Sequence, residues 1–576
     1  MNNIEIGKIL GEIGEYIAMD EGVSFRARAY EKAAEIIAGL PEDIVGVYHR
    51  GGRAALEEIP GIGKGIAETV EELVTTGKSK VHERLKKATP VDLSGLSAVE
   101  GLGPQKIQTL YKELGVTTIS KLEKAARAGK IRALEGFGAR SEEKIIRGIE
   151  FLKQGGGRFP LGDVMPRVRL LEEALSSVRG VEKATTAGSV RRRKETVGDI
   201  DMLVIAAKPK LVMDFFIALS DVAHVIAHGP TKSAVKLKNG LQVDLRVVPK
   251  KSYGAALNYF TGSKDHNIAL RQIAQDKGLK LNEYGLFKGK KQIAGKTEKE
   301  IYSALGLVYI EPELREMTGE VEASRNKKLP NLIGYTDLQG DLQVQTNWTD
   351  GNDSIKEMAM AAQGVGLRYM VVTDHTKRLA MTGGLDEKRI VEQMKEIDRI
   401  NAKLQNSNAQ FKILKGSECD ILKDGMMDLP NGILAQLDVV GASVHSYFNL
   451  SREEQTKRII TAMRNPHVDI IFHPTGRKIN QRPPYELDMD AIIAAAKETG
   501  TVLEIDAFPD RLDLRDEYIR RCVERGVKLA IDSDAHDKSH FAVLEYGIAQ
   551  ARRGWARRED IINAWPVEKM LSMLKP

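Results

Sequence analysis

Through the first 150 residues, apolar positions recur at helical spacing in short stretches cut by glycine. Residues 55–75, 95–112 and 131–148 share one design: an apolar helix end, a tight glycine turn, then a second amphipathic helix. The turns read Ile59-Pro-Gly-Ile-Gly-Lys-Gly65, Val99-Glu-Gly-Leu-Gly-Pro-Gln105 and Leu134-Glu-Gly-Phe-Gly-Ala-Arg140. From about 155 to 250 the pattern changes to helices alternating with β-branched strands, such as Thr196–Ala206 and Gly240–Val248, the latter closing on Pro249. Residues 250–318 are mixed again, and 319–335, with Asn326-Lys-Lys-Leu-Pro330, read as a linker. Beyond 336, short apolar strands alternate with helices: Tyr369–Thr373, Asp438–Val444, Asp469–Phe472, Val502–Ile505 and Lys528–Ile531. That rhythm predicts βα repetition with a mostly parallel sheet, closing into a barrel.

A chain of 576 residues exceeds one core and predicts three or four units. Its 42% hydrophobic and 29% charged residues are the balance of a soluble globular protein. The longest apolar runs, such as Asp201-Met-Leu-Val-Ile-Ala-Ala207, are too short for a bilayer, and the N-terminus does not read as a signal peptide. Cys419 and Cys522 form no CxxC pair, which argues against a disulfide framework or thiolate zinc site and for a cytoplasmic location. Charge is uneven. Residues 1–100 carry 12 basic against 17 acidic side chains, residues 101–300 carry 37 against 21, and the remainder 37 against 42. The middle block is where a polyanion would bind.

Each glycine turn has a mechanical meaning. Gly61 and Gly63, Gly101 and Gly103, and Gly136 and Gly138 permit positive φ, and the following helix offers free N–H groups to a phosphate. Three such turns in 150 residues resemble helix-hairpin-helix motifs, which hold nucleic-acid backbone without reading sequence.

The sharpest signal is Gly188-Ser-Val-Arg-Arg-Arg-Lys-Glu-Thr-Val-Gly-Asp-Ile-Asp-Met-Leu-Val204. In a strand, Asp199 and Asp201 share one face while Ile200 and Met202 turn to the core. Two carboxylates on one face repel unless a divalent cation sits between them, and magnesium suits an all-oxygen site. Upstream, Gly188, Ser189 and the arginines 191–193 offer backbone donors, a hydroxyl and guanidinium groups, as a triphosphate requires. A second strand, Leu241-Gln-Val-Asp-Leu-Arg246, puts Gln242, Asp244 and Arg246 on one face, and Asp244 would complete a carboxylate cluster for two metals.

Gly188-Ser189 … Asp199-x-Asp201 is the nucleotidyltransferase signature. Together with Tyr259-Phe-Thr-Gly-Ser263, Asn267, Arg271 and Leu281-Asn-Glu-Tyr-Gly-Leu-Phe287, it resembles DNA polymerase beta and its microbial family X relatives over residues 1–318. The resemblance implies Asp199, Asp201 and Asp244 as the Mg2+-binding catalytic triad, with Asp244 helping to deprotonate the primer 3′-hydroxyl. Gly188, Ser189, Arg192 and Gly198 would hold the triphosphate. Tyr259, Phe260 and Gly262 would lie against the incoming nucleotide, and Asn267 would touch the base edge. Arg271, Glu283 and Tyr284 would monitor the nascent pair and template. The lysine that in polymerase beta forms a Schiff base on the helix after the first hairpin is here Thr69, which argues against deoxyribose-phosphate lyase activity.

In the second half, metal-type residues fall at strand ends: Asp350, Asp374-His375, Glu418, His445, His473, Asp534 and His536. Their order resembles the polymerase and histidinol phosphatase (PHP) domain that microbial family X polymerases carry at the C-terminus. The resemblance implies Mn2+ or Zn2+ and 3′–5′ exonuclease activity. The family opens with His-x-His after Gly-Asp-Leu, but this chain has Gly340-Asp-Leu-Gln-Val-Gln-Thr346. Gln343 and Gln345 are neutral oxygen ligands poorly matched to zinc, so the exonuclease is expected to be impaired.

The expected fold class is multidomain α+β and α/β. It comprises a helix-hairpin-helix domain over 1–90, a fingers-like helical segment over 91–152, a nucleotidyltransferase palm over 153–250 and a thumb over 251–318. A linker over 319–335 then leads to a PHP-type distorted barrel over 336–576. The expected partners are gapped or primer-template DNA and dNTPs, with no membrane and a monomeric state. Two rivals stand beside this reading: a nucleotidyltransferase acting on RNA ends or small molecules, and a DNA-end-binding scaffold with a decayed PHP site.

Overall fold

The computed structural model describes every residue except 2, 22–23, 41–42, 98, 100–101, 155–156, 380–381, 407–410 and 575–576. Two compact units emerge: Met1–Gly156 with Lys478–Pro483, and Gly157–Arg477 with Pro484–Pro576.

The first unit is helical. Helices Asn3–Glu21 and Phe25–Gly39 pack through Ile6, Leu10, Ile13, Ala33 and Ile37, all fully buried. The three glycine turns lead into helices Lys64–Thr76, Pro104–Leu114 and Ala139–Gln154. They share one backbone bond, in which the N–H of Ile62, Leu102 or Phe137 donates to the carbonyl of Ile59, Val99 or Leu134 at 3.0, 3.1 and 3.1 Å.

In the second unit a five-stranded sheet runs in the order Val181–Thr186, Asp199–Ala206, Gln242–Val247, Lys232–Leu237, Val222–His228. Asp199–Ala206 and Gln242–Val247 are its parallel pair. The strand expected over Thr196–Ala206 is broken at Gly198. Thr196–Val197 pairs instead with Phe159–Pro160, and the long strand starts afresh at Asp199. Helices Tyr253–Thr261 and Lys264–Asp276 and a three-stranded sheet over 280–294 follow.

Seven parallel strands in chain order form the rest: Gly340–Val344, Tyr369–Val372, Lys412–Asp420, Val439–Ser443, Ile470–Ile471, Val502–Asp506 and Leu529–Asp532. The first and last strands meet, so the sheet closes. Val344 bridges Ala535, Leu342 N–H donates to Asp532 at 2.8 Å, and Ser533 N–H donates to Asp341 at 3.2 Å. Every residue of the first strand is buried, as parallel strands covered on both faces require.

The segment expected to be a linker is firmly packed. It carries helix Glu320–Arg325, whose first residue is fully buried and accepts from Met317 N–H, Thr318 N–H and His266. Ile333 packs into the barrel core. Within the same unit the barrel is bolted to the segment just before strand Thr196–Val197. Arg477 pairs with Glu195 at 2.7 Å, and Arg553 donates to the Arg192 carbonyl at 2.9 Å.

Candidate active sites

The parallel register places Asp201 directly opposite Asp244, with Asp199 opposite Gln242 one step along. Alternation sends Ile200, Met202, Val243 and Leu245 into the core and leaves the three carboxylates on the other face. Burial, then repulsion from Asp199 and Asp244, pushes the Asp201 carboxyl up to about 7. Asp199 is raised as well, by burial and then by Asp244. The cluster is thus short of positive charge, and its all-oxygen character fits a hard divalent cation.

Gly188 has φ +62°, and any Cβ there would collide with the Asp201 carboxylate, so only glycine lets the Gly188–Arg191 turn lie this close. Gly188, Ser189, Arg192, Asp199, Asp201, Tyr259 and Phe260 line one cavity of about 920 Å3, joined by Gly262, Asn267 and Arg271. Asp244 abuts the cluster, and Gln242 donates to it at 2.6 Å. Gly198, Glu283 and Tyr284 are not on the cavity wall; Tyr284 stands exposed in the turn before strand Gly285–Lys288. Asn267 donates to the Tyr259 carbonyl at 2.7 Å, which ties the aromatic pair to helix Lys264–Asp276. Of the three neighbouring arginines, Arg192 alone faces the cavity, held by Glu316 at 2.9 Å. Arg191 turns inward to Glu298, and Arg193 stacks over Tyr335.

In the barrel the strand ends converge on Glu418. Its carboxylate accepts from Ser443 at 2.6 Å and Gln345 at 2.7 Å, and it faces His473 at 2.8 Å, His445 at 3.1 Å and His375 at 3.4 Å. Burial works to raise its pKa, but His375 and the bonds from His445 and His473 hold it well below the usual carboxylate range. Among the described residues two groupings fit a metal: Asp350, His375 and His536, and His375, Glu418 and His445, each with ligand atoms within 4.8 Å of one another.

The corner at Gln343, Gln345 and Asp534 does not fit zinc or manganese. Among the described residues neither buried amide atom of Gln343 has a hydrogen-bond partner, and Gln345 turns its amide N–H towards Glu418. Arg511 already brings a guanidinium there, 3.3 Å from Asp506 and 3.8 Å from Asp534. Burial alone would raise the Asp534 pKa; His536 and Arg511 lower it.

The Bacillus subtilis DNA polymerase/3′-5′ exonuclease PolX is 39% identical over 579 residues, covering 100% of both chains. This chain belongs to the family X DNA polymerases. Residues 256–316 match the DNA polymerase beta thumb family, residues 1–79 a helix-hairpin-helix domain and residues 93–150 a SAM-like helix-hairpin-helix tandem. Arabidopsis thaliana DNA polymerase lambda is 27% identical over 353 residues, 55% of this chain and 62% of that one. A probable phosphatase of Thermoanaerobacter sp. (strain X514) is 34% identical over 236 residues, 38% of this chain and 88% of that one.

Within this family X chain most of the hairpin glycines face open space. Gly63 and Gly103 cap their helices at nearly the same angles, φ −82° with ψ 168° and 169°. A Cβ on Gly63, Gly103, Gly136 or Gly138 would meet nothing, whereas one on Gly61 would strike Ile36. Gly101 lies outside the described residues. Thr69 is buried, its hydroxyl on the Gly65 carbonyl at 3.0 Å and beside the Tyr30 hydroxyl at 3.1 Å.

Sequence reasoning missed the buried ion network behind the cavity. Arg315, fully buried, pairs with Glu298 at 2.7 Å, and Arg191 pairs with it at 2.6 Å. Although burial works to raise it, Arg315 and Arg191 hold Glu298 down to about 2. Arg511 was also missed. A lone arginine after a strand carries no periodic signal; its only cue was the acidic pair Asp506 and Asp510 beside it.

Proposed function

We propose that the chain is a template-directed, gap-filling DNA polymerase whose palm site works through Asp199, Asp201 and Asp244. The observation that supports this most directly is the register of Asp201 against Asp244 beside the Gly188 turn. Mg2+ held by the three carboxylates would activate the primer 3′-hydroxyl and neutralise the leaving pyrophosphate. Ser189 and Arg192 orient the triphosphate of a dNTP, and Asp244 accepts the proton of the primer 3′-hydroxyl. Tyr259 and Phe260 shield the sugar from water, while Asn267 and Arg271 read the base pair from the minor-groove side. Glu283 and Tyr284 belong to the template side rather than the nucleotide cavity. The hairpins at Gly61–Gly63, Gly101–Gly103 and Gly136–Gly138 hold DNA phosphates without reading sequence. The protein acts as a monomer in the cytoplasm.

For the barrel we propose a weakened 3′–5′ exonuclease. Asp350, His375, Glu418, His445, His473 and His536 would hold Mn2+ or Zn2+, and Asp534 is given over to Arg511. The test is a 5′-labelled primer in a one-nucleotide gap, run with Mg2+ or Mn2+, with and without dNTPs. Extension with dNTPs and weak shortening without them is the expected result. Asp201→Ala should abolish extension and spare DNA binding; extension that survives it would sink the palm assignment.

A further inference from the structure

The cavity beside the carboxylate cluster is walled partly by the C-terminal barrel. Arg515, Asp516 and Glu517, at the start of helix Asp516–Arg525, and Gln550 and Arg553, from helix Leu544–Arg553, share it with Ser189, Arg192 and Asp201. This wall is fixed in place. Arg553, almost wholly buried, donates to Asp516 at 2.6 Å, to Glu316 at 3.1 Å and to the Arg192 carbonyl at 2.9 Å. One side chain therefore links the residue after Arg515 to the turn that carries Ser189.

The arginines along the wall are otherwise engaged. Arg158 donates to Thr196, Arg192 to Glu316, Arg271 to the Asn267 carbonyl, and Arg553 as above. Among the described residues Arg515 alone of these makes no side-chain hydrogen bond or ion pair, and its Nε is buried without a partner. A guanidinium N–H removed from water is costly until an acceptor reaches it, and planar forked donors match phosphate oxygens. The anion such a cavity receives is the one that Ser189 and Arg192 are placed for.

We propose that Arg515, from the C-terminal domain, binds the β,γ-phosphate end of the incoming dNTP and the pyrophosphate that leaves. The inference rests on the polymerase reading of the palm. It makes the barrel part of the nucleotide site, independent of any hydrolysis the barrel performs. No bond is made or broken at Arg515; it acts by holding charge.

The test uses the full chain. Single-nucleotide gap filling is followed against dNTP concentration for the wild type, Arg515→Ala and Arg515→Lys, with melting temperatures measured alongside. Removing a charge-assisted bond to phosphate should raise the dNTP KM of R515A about tenfold, with kcat within about twofold. Inhibition by inorganic pyrophosphate should weaken by a similar factor, and R515K should recover a good part of both. Equilibrium binding of a dNTP, measured by calorimetry without turnover, should weaken in parallel. Unchanged KM, pyrophosphate inhibition and binding would overturn the proposal. So would a rise in the KM for gapped DNA alone, which would make Arg515 a DNA-backbone contact, or a fall in kcat and melting temperature with KM unmoved. A wild type that does not extend primers would sink the polymerase reading itself, and dNTP binding by R515A would still decide the role of Arg515.

Discussion

The palm and the barrel each gather acidic side chains at strand ends, but they balance the charge differently. In the palm, Asp199, Asp201 and Asp244 face one another across a parallel strand pair, and Asp201 is driven up to about 7. In the barrel, Glu418 is ringed by His375, His445 and His473, and Asp534 has Arg511 and His536 as neighbours. The first cluster is electrostatically incomplete and needs cations from outside. The second already carries a cation of its own where Arg511 stands beside Asp506 and Asp534. A site of metal-type residues is a metal site only so far as its charge is left open.

Breaking the open cluster should have the largest effect. Asp201→Asn is expected to cut nucleotidyl transfer by about a thousandfold or more, read on the gapped substrate. Its melting temperature in EDTA should not fall, because one of three mutually repelling carboxylates loses its charge. A variant that kept its activity, or that unfolded, would erase the contrast.

The closed network behind the palm should behave in the opposite way. Glu298→Gln leaves fully buried Arg315 short of a counter-charge and should cost about 3–5 kcal/mol at pH 7 by denaturant unfolding. Glu298 is depressed from 4.5 to about 2, so its contribution is present above pH 4.5 and lost as pH falls through 2. The gap in stability between wild type and E298Q should narrow over that window. A constant gap would mean the pair is not what holds the thumb.

At the barrel corner, Gln343→His with Gln345→His should raise Mn2+-dependent shortening of the primer roughly tenfold, and adding Arg511→Ala should raise bound Mn2+ further. Arg511→Ala alone should melt lower in EDTA and recover with Mn2+, as a bound cation takes over from the guanidinium. If Mn2+ had no effect on its melting, Arg511 would not be standing at a metal corner.

The smallest effect belongs to the hairpins. Gly103→Ala places a methyl in open space at φ −82°, so folding should be unchanged and DNA affinity reduced a few-fold, by titration at fixed salt.

What the sequence determined by itself was whatever repeats or alternates locally. The glycine turns announce helix N-termini because their first glycines, Gly61 and Gly136, hold a positive φ that few residues accept, and Asp199-x-Asp201 announces a shared face because a strand has period two. The βα rhythm likewise announced the parallel barrel and the strands before His375 and His536, but not the strands Gly340–Val344 and Lys412–Asp420, the second of which carries Glu418. Tertiary structure alone decided the rest. The register that sets Asp201 against Asp244 and the packing of residues 319–335 depend on segments far apart in the chain. So do the insertion of Arg511 beside Asp534, the Arg191–Glu298 pair and the arrival of Arg515 at the polymerase cavity. An isolated arginine looks the same in sequence whether water or a carboxylate awaits it. Its role is set by what the fold packs around it, because the cost of burying a charge depends on the partners it meets there.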